Sequence, residues 1–117
     1  MRESKHTHYL DELLQAHNLE SIDEDPYLVR VIFREPVWKN RNTLAQLSQP
    51  DIFIGYDDRW SVIELKGSEQ KRWKAIEQIM YGKRCLVDAL GIPMNRITGK
   101  FVVYSPHGYK YEVIDGR

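Results

Sequence analysis

This chain of 117 residues has few of the features that would identify its class at once. Its single cysteine, Cys85, can form no internal disulfide and has no companions at zinc-ligand spacing, so we expect a reducing, cytoplasmic environment. Apolar runs are only a few residues long, which excludes a membrane-spanning helix from the expected structure. The polar first residues lead into no apolar core of the kind found in secretion signals.

The chain also lacks a net charge, with 17 basic and 17 acidic residues. Proteins that bind nucleic acid usually carry a basic excess, so this balance alone speaks against such a partner. However, residues 1–58 hold eleven acids and six bases, whereas residues 59–117 hold six acids and eleven bases. Because the net charge of zero is the sum of an acidic first half and a basic second half, it does not exclude a polyanionic partner.

The hydrophobic content of 42% is typical of a folded globular chain, and the length suits one domain over residues 1–117. Periodicity and turn residues predict, in order, a helix over Ser4–Leu19, a loop, a strand within Tyr27–Trp38, a polar loop over Asn40–Gln49, strands at Asp51–Tyr56 and Trp60–Lys66, a helix over Ser68–Leu90, and strands at Phe101–Tyr104 and Tyr109–Ile114. This order predicts an α/β (α+β) fold with a mixed central sheet flanked by helices.

The most informative segment is the hairpin that begins at Pro50 and Asp51 and ends at Glu64, Leu65 and Lys66. Antiparallel pairing brings Asp51 and Glu64 to the same end of the sheet, and alternation along the second strand places Glu64 and Lys66 on one face. Unpaired charges are costly in a core. Two carboxylates near the carbonyl of Leu65 instead suit a hard cation such as Mg²⁺.

Such a cation would neutralise charge on a phosphate and lower the pKa of a bound water. In that case Lys66 would orient the water, act as a base or stabilise the transition state. The alternative interpretation of these residues is a surface salt-bridge cluster at a hairpin end, which is common and contributes little to stability.

The sequence Pro50-Asp51, twelve intervening residues and then Glu64-Leu65-Lys66 resembles the defining motif of the PD-(D/E)XK nuclease superfamily. The resemblance implies a restriction-endonuclease-like αβββαβ core, which matches the order of elements read from periodicity. It also implies that Asp51 and Glu64 bind the metal and that Lys66 is the catalytic lysine. The Pro-Asp and Glu-x-Lys-Gly residues are similar to those of small VRR-NUC-type nucleases.

The RecB-like branch of this superfamily carries a Gln and a Tyr on the following helix, and Gln78 and Tyr81 occupy that region here. Their spacing of three residues departs from the usual four, which weakens the assignment of Tyr81 more than that of Gln78. Many members also use an acid on the first helix, where Glu12 is the candidate; its helical angle points away from the apolar stripe.

Basic residues follow the motif, and Lys71, Arg72 and Lys74, together with Tyr81, are the candidates for contact with nucleic acid. The alternative for this charge run is a solvated helix face. We expect Trp60 and Trp73 to be partly buried packing residues, Cys85 to lie in the core, and His6 and His8 to be exposed. His107 lies in a turn and has no assigned role.

These observations predict a Mg²⁺-dependent nuclease, with Mn²⁺ able to substitute, that hydrolyses DNA phosphodiester bonds. The small size favours cutting directed by structure or assembly, at junctions, flaps or ends, and favours a homodimer or a larger nucleic-acid-processing complex. The alternative is a non-catalytic nucleic-acid-binding or assembly subunit that retains the nuclease fold. The sequence does not distinguish DNA from RNA as the substrate, and it does not distinguish internal from terminal cleavage.

Overall fold

The computed structural model describes residues 4–35 and 50–115. Its longer elements are helices α1 (Lys5–Leu13), α2 (Ala16–Ser21) and α3 (Arg72–Leu90), and strands β1 (Val31–Arg34), β2 (Ile52–Gly55), β3 (Trp60–Lys66), β4 (Ile97–Ser105) and β5 (Gly108–Ile114). In the described ranges the strands form one sheet in the order β1-β2-β3-β4-β5. Strands β3 and β4 run parallel and the other neighbours are antiparallel. The predicted mixed sheet flanked by helices is therefore confirmed.

The structure corrects several predicted boundaries. One continuous helix over Ser4–Leu19 is wrong, because Gln15 adopts extended backbone between α1 and α2. Part of the expected strand within Tyr27–Trp38 is a 3-10 turn at Pro26–Leu28. A second 3-10 turn over Glu69–Lys71 precedes α3, and β4 is longer than expected. The polar loop Asn40–Gln49 lies outside the described residues.

The helices cover the two faces of the sheet. On one face, α1 and α2 bury Leu10, Leu13, Leu19 and Ile22 against Ile52, Ile54, Ile63, Leu65 and Val102. On the other face, α3 buries Ala75, Ile79 and Leu86 against Phe53, Val62 and Phe101. No helix within the described ranges is long and apolar enough to cross a membrane.

Two glycines matter for helix α3: Gly99 lies beneath it in the sheet, and Gly91 ends it. A Cβ atom on Gly99 of β4 would overlap Ile79 Cγ2, so only glycine fits beneath the helix at this point. Gly91 ends the helix with φ +68°, a left-handed conformation that glycine adopts without the penalty of a side chain.

The strand directions define two opposite edges of the sheet. Because β3 and β4 are parallel and β2 is antiparallel to β3, the start of β2, the ends of β3 and β4, and the β4–β5 turn meet at one edge. We call this the site edge, since it holds Asp51, Glu64 and Lys66. The opposite edge, which we call the turn edge, holds Asp57 and Asp58 between β2 and β3.

A buried polar network ties the end of α2 to the sheet near the turn edge. Lys100 Nζ donates to the carbonyl oxygens of Ile22 and Asp23, at 2.7 and 2.9 Å, and pairs with the carboxylate of Glu24. The other oxygen of Glu24 accepts from the Tyr56 hydroxyl at 2.6 Å. Because each buried charge has partners, the network fixes the position of α2 without an uncompensated ion.

Candidate metal centre

Two buried carboxyl groups lie next to each other at the site edge. Ile52 of β2 is opposite Ile63 of β3, so Asp51 and Glu64 are the next residues along the two strands. Asp51 is 8% exposed and Glu64 only 1% exposed. Glu64 Oε2 is buried and accepts no hydrogen bond from any described residue. A buried carboxylate oxygen without a donor is costly, which makes this position suited to a cation.

The two carboxyls differ strongly in their affinity for a proton. Burial, followed by the neighbouring carboxyl of Asp51, raises the pKa of Glu64 to about 10. Burial also acts to raise the pKa of Asp51, but hydrogen bonds from its surroundings outweigh burial and leave that pKa below its usual value. Burial therefore favours the neutral, protonated form of Glu64 beside an ionised Asp51, unless a cation takes the place of the proton.

The two residues that follow Glu64 complete this part of the site. The backbone N–H of Leu65 donates to Asp51 Oδ2 at 2.7 Å, which fixes the Asp51 carboxylate in place. Lys66 Nζ lies 3.8 Å from Glu64 Oε1 and is mostly buried. The structure thus brings together Asp51, Glu64, Leu65 and Lys66, the four residues that the hairpin motif had singled out.

His6 also belongs to this site, and the expectation that it is an exposed side chain is wrong. From the first turn of α1, its Nε2 atom reaches to 3.3 Å from Asp51 Oδ2 and 3.1 Å from the carbonyl oxygen of Leu65. Both neighbours are acceptors, so Nε2 carries a proton in this arrangement. The hydrogen bond to Asp51 accordingly raises the pKa of His6, against the effect of burial. His8, two residues further along α1, is exposed as expected.

Two distances in this cluster match the separation of neighbouring ligands around an octahedral cation. Neighbouring ligands about 2.1 Å from such an ion are about 3.0 Å apart. The distances from His6 Nε2 to Asp51 Oδ2 and to Leu65 O, 3.3 and 3.1 Å, are close to this value. A cation in the place of the Nε2 proton would be held by His6, Asp51 and the Leu65 carbonyl.

Glu35 is a further acidic group near the cluster that sequence reasoning did not identify. One ligand atom each of His6, Glu35 and Asp51 lie within 4.8 Å of one another. The backbone N–H of Glu35 donates to the carbonyl of Asp51 at 2.6 Å, and Glu35 has φ +48°. Its side chain is exposed, unlike those of Asp51 and Glu64.

The candidate residues on and before α3 are more dispersed. Gln78 is half-buried and lies one turn before Gly82, which approaches Pro50, so this flank of α3 faces the start of β2. Tyr81 is half-buried and contacts Cys85, which is itself only partly buried.

The predicted nucleic-acid contacts Lys71, Arg72 and Lys74 are exposed. Arg72 forms a two-bond ion pair with Glu112 of β5, at 2.8 and 2.6 Å. A phosphate would have to compete with this pair for the Arg72 guanidinium, whereas Lys71 and Lys74 have no ion-pair partner among the described residues.

The structure also corrects the prediction for Trp73 and shows where three other singled-out residues lie. Trp73 is 74% exposed, so its expected role in packing is wrong, whereas Trp60 is half-buried as expected. Glu12 is exposed; burial first, and then the charge of Glu12, raise the pKa of Tyr109. His107 is exposed in the β4–β5 turn, which projects from the site edge.

The contribution of His6 had a signal in the sequence. It precedes Tyr9, Leu10 and Leu13 by three, four and seven residues, which places it on the core-facing stripe of α1. Glu35 offered no such signal, because its position depends on how β1 pairs with β2.

Searches with this sequence against protein-family models and against curated proteins find no match to either. The geometry of the site and its chemistry therefore carry the functional argument.

Proposed function

We propose that this protein is a divalent-metal-dependent nuclease that hydrolyses phosphodiester bonds at the site edge. The observation that carries this proposal is the pair of adjacent buried carboxyls, Asp51 and Glu64, with a buried Glu64 oxygen that has no donor among the described residues. A structural salt bridge would satisfy that oxygen, whereas a cation-binding site leaves it for the ion. The described order of two helices, three strands, a helix and two strands contains the αβββαβ succession, which supports the restriction-endonuclease-like arrangement as part of the same proposal.

Each residue of the site has a role in this chemistry. When bound, a divalent cation neutralises charge on a phosphate and acidifies water beside it. Asp51 and Glu64 hold the cation, while the Leu65 N–H keeps the Asp51 carboxylate in its ligating orientation. The ammonium group of Lys66 lies beside Glu64 and stabilises the negative charge that develops as water attacks the phosphorus. On the flank of α3, Gln78 orients the substrate.

The chemical type of the ligand atoms, oxygen or nitrogen, affects which cation the site prefers. Carboxylate and carbonyl oxygens suit Mg²⁺ and Mn²⁺, and Mg²⁺ is the abundant choice for phosphate chemistry. The imidazole of His6 adds a nitrogen ligand, which favours Mn²⁺ over Mg²⁺ more than an all-oxygen site would. We therefore expect activity with both ions and tighter binding of Mn²⁺.

The two sheet edges explain how a chain without net charge can bind DNA. Several acids of the first half lie at the turn edge and pair with arginines, as Asp57 does with Arg30 at 2.8 and 2.9 Å. Lys66 lies at the end of β3 beside Glu64, and the exposed Lys71 follows in the 3-10 turn that precedes α3. DNA therefore approaches the site edge, with an affinity that falls as salt rises.

The small size of the chain limits how it can recognise its substrate. A single small domain offers few elements for reading a long sequence, so the substrate is recognised by its structure, as at a junction, flap or end. A second copy of the chain, or a larger assembly, supplies the remaining contacts.

Cleavage assays on purified protein test the proposal. Circular and linear DNA, branched DNA and RNA would be incubated with Mg²⁺ or Mn²⁺, and with EDTA as a blank. The variants Asp51→Asn and Lys66→Met should lose cleavage by a factor of at least about 100, while Asp57→Asn, which changes an acid at the turn edge, should keep it. Circular dichroism confirms that each variant is folded.

Two outcomes would count against the proposal. Cleavage that survives both site substitutions would assign the activity elsewhere or to a contaminant. Binding of nucleic acid without cleavage of any form, in either metal, would instead favour the non-catalytic binding or assembly subunit.

A further inference from the structure

We propose that strand β5 is a dimer interface, which pairs with β5 of a second copy of this chain, antiparallel and about a two-fold axis at Tyr111. Strand β5 is the last strand of the sheet, and no described strand pairs with its outer side. It is seven residues long, whereas β1 at the other side of the sheet has only four. A long edge strand is a template for pairing with another chain, because its outer N–H and C=O groups are unpaired.

The turn between β4 and β5 determines which backbone groups face outward. Ser105 and Gly108 lie opposite each other across a turn of two residues, so they form a hydrogen-bonded pair. Hydrogen-bonded pairs alternate with non-bonded pairs along an antiparallel ladder. Tyr109, Tyr111 and Val113 therefore turn their N–H and C=O groups away from β4.

A two-fold axis at Tyr111 pairs these outward groups with one another. Tyr111 then lies opposite Tyr111 of the second copy, and Tyr109 lies opposite Val113 of the second copy. A slip of one residue would set outward groups against groups that β4 already binds, so that register is excluded. Only slips of two residues keep the outward groups paired.

Charge selects the register at Tyr111 from those that remain. In this register Lys110 of each copy lies opposite Glu112 of the other copy, and the symmetry creates this ion pair twice. A slip of two residues sets either Lys110 against Lys110 or Glu112 against Glu112, which is repulsive. Lys110 is exposed and has no ion-pair partner among the described residues. Glu112 is exposed and accepts from Arg72, and its two oxygens have lone pairs left for a second cation.

Exposed apolar side chains on the other face of β5 fit the same partner. Tyr111 is 40% exposed and Val113 is 51% exposed. Tyr111 pairs with Val102, which lies in the core beneath α1 and α2, so these two side chains project to that face. In the dimer the two Tyr111 side chains meet at the axis, and Val113 packs against Tyr109 of the second copy. Aromatic and β-branched cross-strand pairs of this kind stabilise a sheet.

The dimer goes beyond the proposed function and does not depend on it. Because the two β5 strands run in opposite directions, the two site edges lie at opposite ends of the joined sheet. Each copy therefore keeps its own metal centre, and neither a cation nor nucleic acid is needed for pairing.

Light scattering during size-exclusion chromatography, in EDTA and without nucleic acid, tests the dimer on the full chain. At high concentration the wild type should have twice its mass of 13.9 kDa, and it should dissociate on dilution. Lys110→Glu sets two carboxylates against each other twice, so it should raise the dissociation constant of the dimer at least about tenfold. Arg84→Glu, the matched change of charge on the exposed side of α3, should leave this constant unchanged.

A mixture of complementary variants separates a lost interface from a lost fold. Glu112→Lys alone should also weaken the dimer, while circular dichroism should remain that of the wild type, since an exposed ion pair with Arg72 contributes little to folding. An equimolar mixture of Lys110→Glu and Glu112→Lys should form a heterodimer, because every acid then faces a base. A mixture that stays monomeric, or a wild type that is monomeric at every concentration, would overturn the proposal.

Amide hydrogen exchange tests the register within the dimer. The N–H groups of Tyr109, Tyr111 and Val113 should be protected in the wild type and should exchange at least about tenfold faster in Lys110→Glu. Those of Lys110 and Glu112, which bond to β4, should stay protected in wild type and variant. Fast exchange at Tyr111 in a wild-type dimer would place the interface elsewhere and contradict the proposal. None of these measurements involves cleavage, so they can succeed or fail independently of the nuclease assays.

Discussion

His6 Nε2 lies 3.3 Å from Asp51 Oδ2, although 45 residues separate the two in the sequence. This contact joins helix α1, which covers one face of the sheet, to the start of β2 at the site edge. It therefore connects the position of α1 with the chemistry proposed for the carboxyl pair, and it gives the first of three predictions.

Replacing His6 with alanine should weaken Mn²⁺ binding by at least about tenfold, the loss seen when even an outer partner of a metal ligand is removed. Since Nε2 must release its proton to bind a cation, Mn²⁺ affinity in the wild type should rise with pH through the raised pKa of His6. Calorimetric titration at several pH values measures both effects. His8→Ala is the matched control, because His8 is exposed; equal losses in the two variants would exclude His6 as a ligand.

Replacing Glu64 with glutamine should stabilise the metal-free protein at neutral and alkaline pH. The pKa of Glu64 is about 10 in the folded chain, against 4.5 when the side chain is fully solvated. Between these values the folded state holds a proton that the unfolded state releases, so stability falls as pH rises. The slope from this group is at most about 1.4 kcal/mol per pH unit.

The Glu64→Gln variant has no proton to lose at this position, so its curve of stability against pH should be flatter over this range. Urea unfolding in EDTA at pH 5 to 9 measures the difference, with Glu20→Gln as the control for loss of an exposed acid. Parallel curves for wild type and Glu64→Gln would show that the buried carboxyl does not retain its proton.

Replacing Lys100 with methionine should destabilise the fold by about 3–5 kcal/mol, because it leaves the buried Glu24 carboxylate without its counter-ion. The double variant Lys100→Met/Glu24→Gln should recover part of this loss, since a neutral amide oxygen still accepts from Tyr56. Urea unfolding of the single and double variants forms the measurement. A cost below about 1 kcal/mol for Lys100→Met would mean that water reaches Glu24.

The sequence was sufficient to predict the hairpin and the residues it brings together. Alternation along β3 and the break at Asp57–Asp58 follow from local rules, and antiparallel pairing then places Asp51 beside Glu64. The sheet with helices on both sides followed in the same way from the order of periodic segments.

Features that depend on the packing of distant elements could not be predicted from the sequence in this way. His6 and His8 diverge on a helix, which argues against a paired metal site, but that rule says nothing about contact between His6 and a strand far along the chain. Trp73 has the spacing of a packing residue within α3, yet its face of the helix has no partner in the described structure and leaves it exposed. Glu35 depends on the pairing of β1 with β2, which periodicity cannot specify.

A cation at this site would connect residues that lie far apart in the sequence, and this affects how readily the protein is degraded. His6 and Leu65 are separated by 59 residues, so a cation bound by both would act as a crosslink that clamps the N-terminal helix to the sheet. At a hundred times its dissociation constant, such an ion adds about 2.7 kcal/mol to stability. Without it, α1 would detach more often and expose Leu10 and Leu13, visible as chelator-dependent proteolysis. A chain deprived of its ion, and so of its proposed activity, would then be the one most readily degraded.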